Sequence, residues 1–205
     1  MISVCPRPIA SVILQRMTHA DFRDQLLALN LSERPEETAH RAAMLELLDR
    51  DADCFSRACF PAHFTGSALV VSANGTKALL NHHRKLDRWL PFGGHCDAHE
   101  SVLQTAQREA REESGIEGLI LASSRPFDLD VHPIPRNQHE PEHFHYDVRF
   151  VLIAPESAQF EMSVESLQLK WFSTAEAAQV ASDAGFQRLI TKWSALLSRR
   201  SSHAT

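Results

Sequence analysis

Residues 94–116 read GHCDAHESVLQTAQREAREESGI, and positions 100–114 divide into two faces when stepped at 3.6 residues per turn. Val102, Leu103, Ala106 and Ala110 line one face. Glu109, Glu112 and Glu113 line the other at i, i+3 and i+4, so their carboxylates are directed to one place. The pattern predicts an amphipathic helix from about Glu100 to Ser114. Like charges one turn apart cost roughly a few tenths of a kcal/mol per pair even in solvent, so this crowding asks for a positive partner. Oxygen ligands at this density suit a hard cation such as Mg²⁺ or Mn²⁺. Arg108, which keeps its proton, is placed to pair with one of these glutamates or to orient it. A solvated acidic face, the ordinary role of a Glu-rich helix, is the alternative reading of the same residues.

Around this helix the periodicity changes character. The first sixty residues carry helical spacing. Thr18 with Asp21 forms a capping-box signature ahead of Phe22, Leu26 and Leu29, and a second helix starts near Pro35, carries Glu36 and Glu37 in its first turn, and stops in the charged stretch Asp49 to Asp53. These helices could pack, cover a site or form a dimer surface. From about Phe60 the pattern is that of strands: Ser67–Ala73 and Thr76–His82 flank Asn74-Gly75, a pair suited to the left-handed angles of a tight hairpin. Further strands are predicted at Leu119–Ser123, Phe127–His132, His143–Ile153 and Leu167–Phe172. A short helix from Thr174 and a longer one bearing Phe186, Leu189, Ile190, Trp193 and Leu197 follow. Strands interleaved with helices that cover both faces make an α/β sandwich.

Composition narrows the function classes. A formal charge of −5 and a pI near 6.2 argue against a nucleic-acid or anionic-membrane partner. A small anionic substrate needs only local metal ions or a few bases. No apolar run approaches the roughly 18 residues of a membrane span. The four cysteines, Cys5, Cys54, Cys59 and Cys96, contain no CxxC pair, and the N-terminus lacks a secretory pattern, so a reducing, cytoplasmic setting is expected.

Gly94, Glu100, Arg108, Glu109, Glu112, Glu113 and Gly115, with aliphatic residues at Ala110 and Ile116, follow one pattern. It is glycine, five residues, Glu, seven residues, Arg-Glu, aliphatic, any, Glu-Glu, any, glycine, aliphatic. At average residue frequencies such a match arises by chance about once in 10⁷ chains of this length. The segment resembles the signature of the Nudix hydrolases, in a branch whose box opens Gly-Gly-His. Ala110 departs from the larger aliphatic usual there and bears on packing, not chemistry. The resemblance implies a Nudix-type α/β/α sandwich with a mixed sheet, laid out as an N-terminal helical extension over residues 1–59 and a Nudix domain over 60–205. It further implies hydrolysis of a diphosphate linkage in a nucleoside diphosphate derivative or related metabolite, with Mg²⁺ or Mn²⁺ as cofactor. Glu109, Glu112 and Glu113 are then metal ligands, Glu100 an outer ligand, and a backbone carbonyl of Gly93 or Gly94 a further one. Arg108 belongs to the same catalytic set. The general base is Glu109 or Glu112 within the box or an acid from a later loop, for which Glu140, Glu142 and Asp147 are candidates. A catalytically silent, nucleotide-binding regulatory domain is the competing reading, and isomerase chemistry on the same fold is a third.

The box leaves one feature unexplained. In 127–132 and 143–150, Asp128, Asp130 and His132, and His143, His145, Asp147 and Arg149, alternate with apolar residues, so two hairpin partners would bring their polar sides together. That side is a solvent face, a substrate wall in which Arg149 or the histidines touch phosphate or base, or a second metal site. His82, His83, Arg84 and Lys85 form a basic patch suited to phosphates or to an exposed turn, and His95 follows the opening glycine. Trp89, Phe92 and Trp171 are base-stacking or core residues, and Cys96 is a small packed one. The expected partner is a small-molecule diphosphate, with neither nucleic acid nor membrane; a homodimer is possible through the N-terminal helical pair.

Overall fold

The computed structural model describes residues 18–97 and 100–202, with side chains to 199. The N-terminal expectations for Met1 to Met17, Cys5 among them, lie outside the described residues. Two helices, α1 (His19–Leu27) and α2 (Pro35–Arg50), precede four strands, β1 (Ala62–Val71), β2 (Lys77–His83), β3 (Arg88–Leu90) and β4 (Phe92–His95). Helix α3 (Val102–Ser114) is followed by β5 (Ile120–Leu121), β6 (Asp128–Ile134), β7 (His143–Ile153) and β8 (Ser166–Ser173). Helices α4 (Thr174–Val180) and α5 (Ala184–Ser202) close the chain.

Local sequence explains most boundaries. Thr18 and Asp21 close the expected capping box on α1, and Pro35 stands at the start of α2, where its missing N–H costs nothing. Ser101 with Gln104 caps α3, and Gly115, at φ +66, ends it in the left-handed conformation that a side chain disfavours. The helix therefore starts at Val102, and Glu100 lies before it rather than within it. Gly75, at φ +75, takes the turn between β1 and β2.

The strands form one eight-stranded mixed sheet with the path β3-β2-β1-β7-β5. β4 pairs with the middle of β1, from Thr65 to Ala68, β6 with the first part of β7, and β8 with β2. β1 and β7 run parallel through ten residue pairs, from Ala62↔Phe144 to Val71↔Ile153. Both faces are covered. Phe64, Ala68 and Val70 of β1 join α3 and the N-terminal helices in one apolar core that includes Phe22, Leu26, Met44 and Leu47. Leu69 and Val71 join Phe186, Leu189, Ile190 and Trp193 of α5 in the other. The fold is thus the expected α/β sandwich, and the N-terminal helices share its core. Ala110 is fully buried, and its small side chain fits where α3 lies on the sheet.

β1 starts five residues before the predicted Ser67. His63 and Thr65 carry no strand signal of their own, but they face a buried polar layer and pair in register with β7. β6 and β7 are antiparallel neighbours as expected, with Asp128↔Arg149, Asp130↔Asp147 and His132↔His145 opposite one another. Their polar side is not a solvent face: Asp128, Asp130, His143, Asp147 and Arg149 are all buried.

Candidate functional site

The site begins with the approach of α3 to β4. A β-carbon on Gly94 would stand 2.3 Å from Glu109 Oε1, so the absence of a side chain there lets the carboxylate rest against the strand. Gly66 plays the matching role on β1, where a β-carbon would lie 2.1 Å from the Val102 carbonyl oxygen. Glu109 and Glu113, one turn apart, face this seam and Glu113 is buried; Glu112 sits on the exposed shoulder. Burial, reinforced by Glu109 and Glu165, pushes the Glu113 carboxyl up to about 8, against hydrogen bonds from the Gly93 backbone and Asn81 side chain. Burial also raises Glu109, more than Arg108 lowers it.

Arg108 organises the remaining acids. Its Nη1 donates to Glu109 Oε1 at 2.8 Å and Glu112 Oε2 at 3.3 Å, and its Nη2 donates to Glu100 Oε2 and to the His95 carbonyl, each at 3.0 Å. Glu100 also accepts from Thr105 Oγ1 and the Asp97 amide. Burial alone would raise the Glu100 carboxyl, but these donors together hold it below its ordinary value. Glu100 thus anchors Arg108, and Arg108 anchors the box to the β4 strand.

On the opposite face of the sheet, the polar side chains of β1, β7 and β6 form cross-strand rows. Ser67, Arg149 and Asp128 make one row, Thr65, Asp147 and Asp130 the next, and His63, His145 and His132 the last. α5 covers the first two: Arg149 donates to Asp128, Asp130, Asp147 and the Gly185 carbonyl, while Arg188 binds Asp128 and Asp130 and Lys192 binds Asp128 and Glu37. Beyond α5, His63, His95, His143 and His145 gather with one ligand atom each, all within 4.8 Å of one another. Burial lowers the affinity of His63, His95 and His145 for protons, with His95 down to about 4.

The NUDIX domain model matches residues 63–194, more than half of the chain. The chain belongs to the Nudix family. It is 31% identical over 96 residues to the mouse (Mus musculus) bis(5'-nucleosyl)-tetraphosphatase (asymmetrical), a stretch that is 47% of this chain. The match spans 63% of that relative's length. Among solved structures, a Caenorhabditis elegans Ap4A hydrolase binary complex superposes with a TM-score of 0.55 at 21% identity, covering 66% of this chain and 97% of that one. The Escherichia coli dihydroneopterin triphosphate pyrophosphohydrolase gives 0.52 at 20% identity, covering 63% and 92%. At these identities the two structures speak for the Nudix fold alone.

Apart from His95 and Cys96, the other candidate residues lie outside the Nudix box. Arg149, expected on a substrate wall, is instead buried, giving four hydrogen bonds to three aspartates and the Gly185 carbonyl. Asp147 accepts from Thr65, Ser67 and Arg149 within the same buried layer. Of the other later acids, Glu140 pairs with Arg57 at 2.6 Å and Glu142 is exposed. His95, His143 and His145 do converge, on one another rather than on the glutamates. The patch at 82–85 ends β2: Arg84 donates to the carbonyls of Val164 and Ser166, His82 pairs with Asp87, and Lys85 is exposed. Phe92 is core, and Trp89 and Trp171 pack against the two cores, with Trp89 stacked on His82. Cys54, Cys59 and Cys96 are free and buried, and burial raises their thiols. Among the described residues no helix is long and apolar enough to cross a membrane.

Two residues at the box have no counterpart in the sequence reading. Glu165, in the segment before β8, is close enough to raise both Glu109 and Glu113 electrostatically. Asn81, on β2, is buried beside Glu113 with its Oδ1 unpartnered. An Asn inside the apolar run of β2 was a signal open to notice; Glu165 reaches the box only through folding.

Proposed function

We propose that this Nudix protein is a Mg²⁺- or Mn²⁺-dependent hydrolase that cleaves a diphosphate linkage in a nucleoside diphosphate derivative. The observation that carries the reading is the geometry of the carboxylate seam: Glu109 and Glu113 turned toward Gly93–Gly94, with raised proton affinity and one arginine serving several acids. Carboxylates crowded so closely hold protons in the absence of a counter-charge, and a hard dication that shares its remaining positions with water and phosphate oxygens fits the donor set. Glu109, Glu112 and Glu113 would hold that ion, with the backbone of Gly93 or Gly94 beside them. When bound, the ion supplies charge neutralisation of the phosphoryl oxygens and a water of lowered pKa.

The chain's own groups do the rest. Arg108 fixes Glu109 and Glu112 relative to β4, which sets where substrate oxygens meet the seam. Glu100 has its acceptors filled by Arg108, Thr105 and Asp97, and acts by holding the arginine. A proton from the attacking water passes to a carboxylate at the seam, where Glu112 is the exposed glutamate of the box. The mouse relative and the C. elegans neighbour put dinucleoside polyphosphates first among substrates to try. The family match starting at residue 63 supports a catalytic unit over 60–205 preceded by a helical extension. The silent regulatory alternative is disfavoured because nucleotide binding alone does not need this cluster.

The test is a screen of diadenosine tetraphosphate, nucleotide sugars, ADP-ribose, NADH and modified nucleoside triphosphates for Mg²⁺-dependent formation of mononucleotide products, followed by ion-exchange chromatography, with Glu112→Gln and Glu113→Gln as controls. Each variant keeps side-chain size and loses the charge, so turnover should fall by about 10²-fold or more while the fold is kept. Full activity in both variants would remove the assignment.

A further inference from the structure

Four histidines from three strands meet on the face of the sheet away from α3. His63 comes from β1, His95 from β4, and His143 and His145 from β7. In two of them the outer ring nitrogen is already committed: His63 Nδ1 lies 3.1 Å from the Cys59 carbonyl and His143 Nδ1 2.8 Å from the Pro141 carbonyl. A carbonyl oxygen only accepts, so each Nδ1 carries the proton and each neutral ring keeps a bare lone pair on Nε2. Both lone pairs remain inside the cluster. His63 Nε2 is buried with no hydrogen-bond partner, and His143 Nε2 lies 3.2 Å from His145 Nε2.

His145 cannot satisfy them. Its Nε2 also lies 3.2 Å from His95 Nε2, and a neutral ring nitrogen either donates one proton or offers one lone pair. If it donates, one proton faces two acceptors; if it accepts, it stands lone pair to lone pair with His143. In either case His63 Nε2 is left unpaired in the interior, which costs the desolvation of that nitrogen. Protonating the rings is no remedy, because charged imidazoles confined within 4.8 Å would repel one another in a buried site.

We infer that these four histidines form a binding site for a borderline divalent transition metal such as Zn²⁺, separate from the carboxylate seam. One cation would use every surplus lone pair at once. Four nitrogens held at Zn–N distances of about 2.0–2.1 Å lie about 3.3–3.4 Å apart in a tetrahedron, and two of the contacts already measure 3.2 Å. The carbonyls of Cys59 and Pro141 supply the outer hydrogen bonds that fix ring tautomer and orientation in metal–histidine sites. An all-imidazole set has no oxygen donor for Mg²⁺ or Ca²⁺ and selects zinc, copper, nickel or iron. Such a metal would tie β4 to β1 and β7 at His95, whose carbonyl accepts from Arg108. It is therefore a clamp on the strand that presents the box.

The metal-stripped full-length protein is titrated with Co²⁺ in a large excess of Mg²⁺, which keeps the carboxylates from reporting. The expected result is one Co²⁺ per chain with the intense visible bands of a four-coordinate ion, unchanged in Glu112→Gln and Glu113→Gln and weakened at least tenfold in His143→Ala and in His95→Ala. X-ray absorption of the zinc-loaded native protein needs no variant and should give four nitrogen neighbours at about 2.0 Å. The proposal is overturned if no four-coordinate band appears, if the band survives both histidine variants, if it disappears with the glutamates, or if the zinc neighbours are chiefly oxygens. Because the readout is metal binding and not turnover, it fails or succeeds independently of the hydrolase reading.

Discussion

Replacing Glu113 with glutamine should make the metal-free protein more stable at alkaline pH and change it much less in mild acid. The carboxyl has an ordinary value near 4.3 when the chain is unfolded and is held up to about 8 in the fold. Its folded-state proton affinity is raised, so the native protein binds the proton more tightly than the unfolded chain does. The associated stability is fully present below about 4.3, is lost as pH rises, and is gone above about 8. At about 1.4 kcal/mol per pH unit, the loss is bounded near 5 kcal/mol, and relaxation of a single substituted site brings the expected difference to about 2–3 kcal/mol. For a domain of this size that is about 4–12 °C in Tm. The assay is urea unfolding of native and Glu113→Gln proteins in EDTA at pH 5.5 and pH 9. The gap should be small at pH 5.5, where only about a third of the interval between about 4.3 and about 8 has been crossed, and about threefold larger at pH 9 in favour of the variant. Adding Mg²⁺ at pH 9 should reverse the order. A stability gap of the same size at both pH values, or a native protein that outlasts the variant at pH 9 without metal, would refute the reasoning.

Other perturbations separate structure from chemistry. Gly66→Ala places a β-carbon against the Val102 backbone carbonyl, which cannot yield, so a loss of several kcal/mol in urea unfolding is expected. Gly94→Ala meets only the mobile end of Glu109, so it should cost about 1 kcal/mol or less while lowering Mg²⁺ affinity. Arg149→Ala leaves Asp147 and two further aspartates short of a buried partner and should cost about 3–5 kcal/mol. KM per folded molecule should hold; a large rise in KM at unchanged stability would return Arg149 to the substrate wall. Glu165→Gln removes one of the charges that raise Glu109 and Glu113, so the acid limb of the pH–rate profile should move to lower pH; an unmoved limb would place Glu165 away from the seam. EDTA should abolish turnover, with recovery on Mg²⁺ or Mn²⁺ monitored by chromatography of the mononucleotide products.

What the sequence alone determined is local. The two-faced spacing of 100–114, the Thr18–Asp21 and Pro35 helix starts and the Asn74-Gly75 turn depend on neighbours a few residues away, so they can be read without the fold. The glutamates of the box were legible for the same reason, since one helical turn suffices to align them. The tertiary structure decided everything that depends on long-range register. The parallel pairing of β1 with β7 sets His63 beside His145, and the pairing of β1 with β4 brings in His95, although no short-range pattern links these positions. It buried Arg149 among aspartates under α5, and it carried Glu165 to the box from a segment with no strand or helix signal. Strand pairing converts distant positions into neighbours, and periodicity cannot report which distant strand will be the partner.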